Sequence, residues 1–340
     1  MLSSFSELAG QENVVARLQT SLANDRVHHA LLFCGPDGVG KFLAAQHLAQ
    51  VLVCQDPEKI DQACGTCPSC YKFHHTNHPD VVVVSPNEKD KITVDDIREA
   101  NQGLHIQALE AEFKILIIRD ADRMNPQAQN ALLKTLEEPP GNSKLILTSS
   151  RPRAFLLTIL SRCQRLDFLP VPTEAIQGML LERLDLDDGT AHLIAALSQG
   201  SPARALNTDP DETVAHRDLV AEIDLKLSPS TKRAAAEAIE QATELSAEKE
   251  ELKRRLQLLS VWLRDQILIA SQSETVAIAN IDRKQELEQL ASRRGLFQIL
   301  NRAKALELAQ HKLAQPFNLN AGLIVEQLCL SLAGQNGSIS

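Results

Sequence analysis

Residues 31–41 read Leu31-Leu32-Phe33-Cys34-Gly35-Pro36-Asp37-Gly38-Val39-Gly40-Lys41, and they carry the strongest indication of a fold in this sequence. An apolar run enters a glycine-rich turn, and a helical pattern begins at its lysine. In a phosphate-binding loop, glycines let backbone N–H groups converge on phosphate oxygens, and the lysine reaches the terminal phosphates. The stretch therefore predicts a phosphate-loop fold whose nucleotide contacts are Gly35, Gly38, Gly40 and Lys41.

The position after the lysine normally carries a Ser or Thr hydroxyl that ligates magnesium, and here it is Phe42. The metal-holding acidic residue at the end of a later strand is also replaced, because Arg119 follows the apolar run 114–118. A guanidinium cannot ligate magnesium. Nucleotide binding stays open, but we expect no ATPase activity of the chain's own. The alternative is that Asp120 and Asp122 supply the metal ligands instead.

Outward from this loop, short apolar runs alternate with helical patterns. This alternation predicts a parallel sheet covered by helices on both faces, with ligands at the carboxyl ends of the strands. The predicted strands are 30–34, 81–84, 115–118 and 145–148, and the predicted helices are 7–22, 41–53, 94–104 and 127–138.

Changes of pattern divide the chain into three predicted domains and a tail. Residues 1–170 form the nucleotide-binding type of domain, and Pro170 and Pro172 end it. Helical patterns at 174–184 and 190–199 predict a small helical lid domain over 171–207. Residues 208–335 show no strand run and predict an all-α domain with long helices at 236–269 and 293–313. Residues 336–340 are predicted to be a flexible tail.

Four cysteines crowd into residues 54–70, an insertion after the first helix of the phosphate loop. Their order, Cys-x9-Cys-x2-Cys-x2-Cys, supplies the four thiolates of a tetrahedral structural zinc site. The predicted ligands are Cys54, Cys64, Cys67 and Cys70. Spacing alone leaves two alternatives open, an iron–sulfur cluster and four free thiols. The nearby His74, His75 and His78 are interpreted as surface or loop residues.

Composition narrows the class of protein. The 340 residues carry a formal net charge of −9, which argues against a chain that coats nucleic acid by bulk attraction. The apolar runs are far shorter than the roughly 20 residues of a membrane span. The first residues lack the basic start and apolar stretch of a signal peptide, so a cytoplasmic location without membrane contact is expected.

Together, four segments closely resemble bacterial clamp-loader subunits of the AAA+ class, and among these the delta-prime subunits of DNA polymerase III. They are HALLFCGPDGVGK at 29–41, the cysteine insertion at 54–70, LLKTLEEPP at 132–140 and ILSRCQRL at 159–166. Gamma and tau subunits share the insertion and the Ser-Arg-Cys string, but keep a hydroxyl after the lysine and an Asp-Glu pair at the strand end. Phe42 and Arg119 depart from that pattern and favour the delta-prime family.

The resemblance implies a division of labour in a hetero-pentamer with gamma or tau and delta subunits. Arg162 of Ser-Arg-Cys would act in trans, as an arginine finger in a neighbour's ATP site. The assembly would load the beta sliding clamp on primer-template DNA during replication, and the all-α domains would form its collar. The resemblance also marks a lid arginine, phosphate-sensing positions and a residue on a DNA-facing element, namely Arg204, Ser149, Ser150 and Arg98.

Two rival interpretations remain open. The first is a catalytically active gamma- or tau-like ATPase motor that tolerates unusual metal ligands. The second is a zinc-ribbon DNA-binding module with a vestigial phosphate loop, which the net charge disfavours.

Overall fold

The computed structural model describes residues 5, 8–56, 60–227, 234–247, 251–273, 277–315 and 320–334. The predicted tail at 336–340 lies outside these residues. The chain divides into two compact units, the first of Met1–Met179 with Ser198–Leu206 and the second of Leu180–Leu197 with Asn207–Ser340. The predicted division into three domains stays a prediction.

The first unit is built on a five-stranded parallel sheet with the order β2-β3-β4-β1-β5. Its strands are β1 (Ala30–Cys34), β2 (Val81–Val84), β3 (Lys114–Ile118), β4 (Ser143–Ser149) and β5 (Gln164–Asp167). Strands β1 and β3 are buried along their whole length, because helices cover both faces of the sheet. The four predicted strands and the predicted fold class are confirmed.

The described part of the chain contains fourteen α-helices. They are α1 (Glu12–Ala23), α2 (Lys41–Val53), α3 (Pro68–His74), α4 (Val94–Leu104), α5 (Pro126–Glu137), α6 (Leu157–Leu160), α7 (Thr173–Arg183), α8 (Asp188–Leu197), α9 (Pro202–Leu206), α10 (Pro210–Lys226), α11 (Ala234–Leu245), α12 (Leu252–Ala270), α13 (Lys284–Ala314) and α14 (Ala321–Leu332). None of these helices combines the length and apolar character that crossing a bilayer requires.

Local signals explain where the helices near the phosphate loop begin. The side chains of Thr93 and Asp96 form a reciprocal capping box at the start of α4. Asn125 caps α5, whose first residue is Pro126, a residue suited to the first turn because its missing N–H needs no partner there. Helix α2 begins after Gly40, which has a positive φ of 99°.

Two sequence predictions about helices are corrected. The first helix begins at Glu12 and not near residue 7, because Gly10 has a positive φ of 68° and the backbone of Gln11 is not helical. The Gln11 side chain bonds the backbone amide and carbonyl of Leu169. The single long helix predicted over 236–269 is two helices, since α11 ends at Leu245 and α12 begins at Leu252. Ala-rich and Leu-rich composition favours helix on both sides of this break and does not reveal it.

The second unit contains α8 and α10 to α14, packed around one apolar core that includes Trp262. A charged group lies inside it. The Asp224 carboxylate accepts hydrogen bonds from Trp262 Nε1 at 3.0 Å and Arg294 at 2.6 Å, and it also contacts Arg302. Burial alone would raise the pKa of Asp224, but the two guanidinium groups outweigh it and lower the pKa to about 2. These bonds join α10, α12 and α13 through one carboxylate.

Candidate functional site

The phosphate loop, Gly35 to Lys41, lies at the carboxyl end of β1 and is covered by a segment that follows it far along the chain. The Ala203 amide donates to the Gly38 carbonyl at 3.2 Å. A Cβ added at Gly38 would lie 2.1 Å from Ser201 Oγ, and the φ of Gly38 is 78°. Only glycine accommodates this approach at this backbone conformation. The loop is therefore closed over by residues 198–206.

The Lys41 side chain is buried and points back into its own loop. Its ammonium donates to the Gly35 carbonyl at 2.7 Å and to the Pro36 carbonyl at 2.6 Å, with Asp37 at 3.8 Å. Burial lowers the pKa of Lys41, and the attraction of nearby carboxylates, first Asp37, opposes this without cancelling it. The Lys41 ammonium thus donates to backbone oxygens of the loop, whereas in a nucleotide complex it would donate to phosphate oxygens.

The two residues that replace the metal-holding groups contact each other. The Arg119 guanidinium carbon lies 4.9 Å from the centroid of the Phe42 ring, a cation–π arrangement. Arg119 Nε is also 3.5 Å from the carboxylate of Asp120. The Arg119 guanidinium and the Phe42 ring therefore occupy the two positions where a carboxylate and a hydroxyl would bind magnesium.

Asp122, the other carboxylate considered for metal binding, has partners of its own. Its side chain is 1% exposed and accepts from Arg151 Nε at 2.9 Å and from the Ser150 amide at 3.2 Å. Burial opposes its ionisation, but hydrogen bonds from Ser149, Arg151 and Ser150 outweigh burial and lower the pKa of Asp122. Ser149 and Ser150, the predicted phosphate-sensing positions, thus both serve this carboxylate.

Arg162 lies at a surface edge that we call the arginine edge, Leu157 to Cys163. Its NH1 group donates to the Thr158 carbonyl at 3.0 Å and to Ser161 Oγ at 3.3 Å. Its NH2 group lies 2.7 Å from Glu137 Oε1 at the end of α5. Leu157, the first residue of the short helix α6 that precedes Arg162, is 82% exposed. A large apolar side chain and a guanidinium are therefore displayed together.

The two arginines that the resemblance marked for further roles have local partners. Arg204 lies in α9, and its guanidinium donates to the Ser198 carbonyl at 3.3 Å and to Gln199 at 3.2 Å. Arg98 is exposed on α4 and pairs with Asp95 one turn earlier, at 3.2 Å. Their roles toward nucleotide and DNA stay predictions.

The four predicted cysteine ligands converge after α2. Their sulfur atoms all lie within 4.8 Å of one another, with Cys54 and Cys64 3.6 Å apart and Cys64 and Cys70 4.0 Å apart. A tetrahedral zinc with Zn–S bonds of about 2.3 Å separates its sulfurs by about 3.8 Å, so the donor set fits zinc. The backbone amide of Cys67 donates to Cys64 Sγ and that of Cys70 donates to Cys67 Sγ, both at 3.4 Å.

Hydrogen bonding and burial act in opposite directions on these thiols. Backbone amides of Thr66 and Cys67 lower the pKa of Cys64 to about 6, whereas burial raises the pKa of Cys54 and of Cys70. The nearby His78 is buried and bonds Ser69 Oγ at 2.7 Å through Nε2, while its Nδ1 accepts from the Asp80 amide. Both ring nitrogens of His78 are therefore used in hydrogen bonds within residues 69–80.

A second group of metal-ligand types, unmarked by the sequence, brings together Glu212, His216 and Glu251 in the second unit. Arg254 already contacts both carboxylates of this group, and it lies 3.5 Å from Glu251. The group is therefore an ion-pair cluster with its own cation.

A parallel sheet with a glycine-rich loop after its interior strand β1 defines a phosphate-loop α/β protein, here with an altered metal position. Two family models match the chain: DNA polymerase III, delta subunit, at residues 10–172, and DNA polymerase III, delta subunit, C terminal, at residues 231–333. The chain therefore belongs to the DNA polymerase III delta-subunit family, and its resemblance to clamp-loader subunits is confirmed.

Curated relatives carry two kinds of subunit name. The chain is 40% identical over 181 residues to the delta' subunit of DNA polymerase III from Pseudomonas aeruginosa, covering 52% of this chain and 54% of that protein. It is 33% identical over 208 residues to the tau subunit from Bacillus subtilis, covering 60% and 36%. The chain thus spans about half the length of the first relative and about a third of the second.

A solved structure is also similar, that of a DNA polymerase III gamma subunit-related protein from Thermotoga maritima. Its TM-score is 0.38 at 17% identity, and the match covers 96% of this chain and 99% of that chain.

Proposed function

We propose that this chain is a non-hydrolysing subunit of the DNA polymerase III clamp loader that donates Arg162 in trans to a neighbouring ATPase subunit. The observation that carries the proposal is the state of the phosphate loop, whose lysine is bonded to the loop's own carbonyls and whose metal position holds the Phe42–Arg119 pair. Phosphoryl transfer depends on a metal to neutralise developing charge. Phe42 and Arg119, at the two positions that would hold the metal, offer neither a hydroxyl nor a carboxylate for it.

Arg162 supplies the other half of the proposal. A guanidinium recognises phosphate oxygens through several N–H donors, and an arginine finger supplied in trans raises hydrolysis by about 10³ to 10⁵. Leu157 beside it gives the arginine edge an apolar contact for a neighbouring subunit. The partners proposed are gamma or tau and delta subunits, the beta sliding clamp and, through the assembly, primer-template DNA.

The cysteine cluster is proposed to bind one structural Zn²⁺. All four ligand positions would be filled by thiolates, which leaves no open position for catalysis. Because Cys54 directly follows α2, the metal would anchor the end of the helix that begins at the phosphate loop. The metal would then stabilise the helix that follows the phosphate loop and would take no part in catalysis.

The test is Arg162→Ala in a clamp loader reconstituted with the other subunits of its host. Turnover of ATP and clamp loading should both fall, with loss of most hydrolysis at the one neighbouring site. Arg153→Ala is the matched control, since Arg153 is an exposed arginine just before the arginine edge. Unchanged rates with Arg162→Ala would contradict the proposal, and hydrolysis by the isolated chain with magnesium would favour the ATPase motor.

A further inference from the structure

The Glu137–Arg162 ion pair has a place in the proposed function that the motifs do not reveal. Glu137 is the last residue of α5, and Arg162 follows α6. Their 2.7 Å contact is the one carboxylate contact of this guanidinium among the described residues, and the other two contacts are to the neutral oxygens of Thr158 and Ser161. Glu137 is thus the charged partner that orients the Arg162 guanidinium.

Hydrogen bonds join the two helices next to this ion pair, α5 and α6. On α5, the Gln129 side chain donates to the Ala154 carbonyl at 3.0 Å and accepts from the Leu156 amide at 2.9 Å. These two bonds fix the start of α6 against α5. The backbone of α5, which carries Glu137, is therefore held against the segment that leads through α6 to Arg162.

Three contacts hold the guanidinium without covering it. The Arg162 side chain is 34% exposed and that of Glu137 is 48% exposed. The contacts use NH1 twice and NH2 once, which leaves guanidinium N–H donors for phosphate oxygens. A free arginine loses rotamer freedom when it is ordered at a reacting group, and an arginine that is already ordered loses less.

We infer that Glu137 is a positioning residue that orders Arg162 for the neighbour's ATP before the subunits meet. The inference rests on the proposed function of Arg162. Glu137 acts only through the guanidinium and does not touch nucleotide. Its removal leaves ATP binding by the neighbour unchanged and slows the step in which charge develops on the transferring phosphate.

The experiment measures steady-state ATP hydrolysis by the reconstituted assembly with Glu137→Ala, Glu137→Gln, Arg162→Ala and the double variant Glu137→Ala/Arg162→Ala. The turnover that Arg162→Ala removes defines the Arg162-dependent part. Glu137→Ala should reduce that part roughly tenfold through kcat with KM for ATP unchanged. Glu137→Gln keeps an acceptor oxygen and should retain an intermediate rate. The double variant should be no slower than Arg162→Ala alone.

Glu138→Ala is the matched control, because Glu138 is the next carboxylate, is exposed, and forms no ion pair with any residue that the structure describes. It should leave turnover unchanged. Thermal unfolding of each free subunit separates loss of fold from loss of rate. If Arg162→Ala lowers turnover but Glu137→Ala leaves it unchanged, or raises it because the carboxylate competes with phosphate, the inference about Glu137 is wrong and the proposed function stands. If Arg162→Ala has no effect, the proposed function itself fails.

Discussion

The phosphate loop and the arginine edge belong to the same unit and differ in how their cations are satisfied. In the loop, the Lys41 ammonium is buried and bonded to backbone oxygens of the loop itself. At the edge, the Arg162 guanidinium is partly exposed and held from one side by Glu137. An intersubunit ATP site needs one subunit that binds nucleotide and another that reaches into it. Under the proposed function, this chain takes the second role through Arg162, whereas the lysine of its own loop is bonded to the loop.

The comparison also shows that the groups around the phosphate loop have partners within the chain. Two substitutions alone would leave an open cradle with a polar gap. Instead Arg119 stacks on Phe42, Ser201 lies against Gly38, and Asp122 is bonded to Arg151. Buried polar groups need partners, and the buried Lys41 and Asp122 both have them within the chain.

The largest effect is expected from a substitution in the cysteine cluster. It tests whether a structural metal stabilises the region of the phosphate loop. Cys64→Ser should reduce bound zinc from about one equivalent to well below half, and destabilise the first unit strongly, since structural zinc sites contribute on the order of 10 kcal/mol of binding free energy. Elemental analysis and urea unfolding measure the two effects. Cys163→Ser, a change outside the cluster, should keep its zinc. A wild-type chain without zinc would refute the site.

Next in size is Gly38→Ala, which forces a side chain into the contact that closes the loop. The new Cβ would meet Ser201 Oγ and would have to adopt a positive φ, so we expect a loss of about 1–3 kcal/mol in the free energy of unfolding. Gly141→Ala is the matched control, because Gly141 also has a positive φ but a Cβ there meets nothing within 4 Å. Equal losses for the two variants would show that the Gly38–Ser201 contact does not hold the loop closed.

A smaller effect is expected from Asp122→Asn, which tests whether this carboxylate is committed to Arg151. We expect a loss of about 1–2 kcal/mol at pH 7. Because the folded-state pKa of Asp122 is lowered, its contribution is fully present above the ordinary pKa of 3.8 and is lost as pH falls through the folded value. The difference between wild type and variant should therefore stay constant from pH 7 to about pH 4 and shrink below that.

Urea unfolding across this pH range makes the measurement, and Asp95→Asn is the control, since Asp95 is an exposed carboxylate that pairs only with Arg98 among the described residues. The rival metal-binding role predicts that magnesium stabilises the wild type and not the Asp122→Asn variant. Such a stabilisation would show that the loop binds magnesium through Asp122.

Sequence reasoning reached the sheet because continuous apolar strands and a Gly-x4-Gly-Lys turn are local signals. It missed β5, where only Leu166 is buried in a four-residue edge strand and no apolar run exists. It named Phe42 and Arg119 as separate defects but not as a contacting pair, because a contact between residues so distant in the chain depends on strand order. The same holds for Glu137 and Arg162, which only the packing of α5 against α6 brings together.

The smallest expected effect is at Lys41, the residue that first suggested a nucleotide. Lys41→Met keeps an unbranched side chain, shorter by one atom, and removes the charge. In the reconstituted assembly this variant should change ATP turnover by less than about twofold, because no hydrolysis passes through this loop. The same substitution in the phosphate loop of a neighbouring ATPase subunit is the positive control and should abolish turnover at that site. A large loss of turnover with Lys41→Met would contradict this expectation and would mean that nucleotide binds in this loop, with Ser201 displaced from Gly38. The phosphate loop and the arginine edge would then each contribute to a different ATP site.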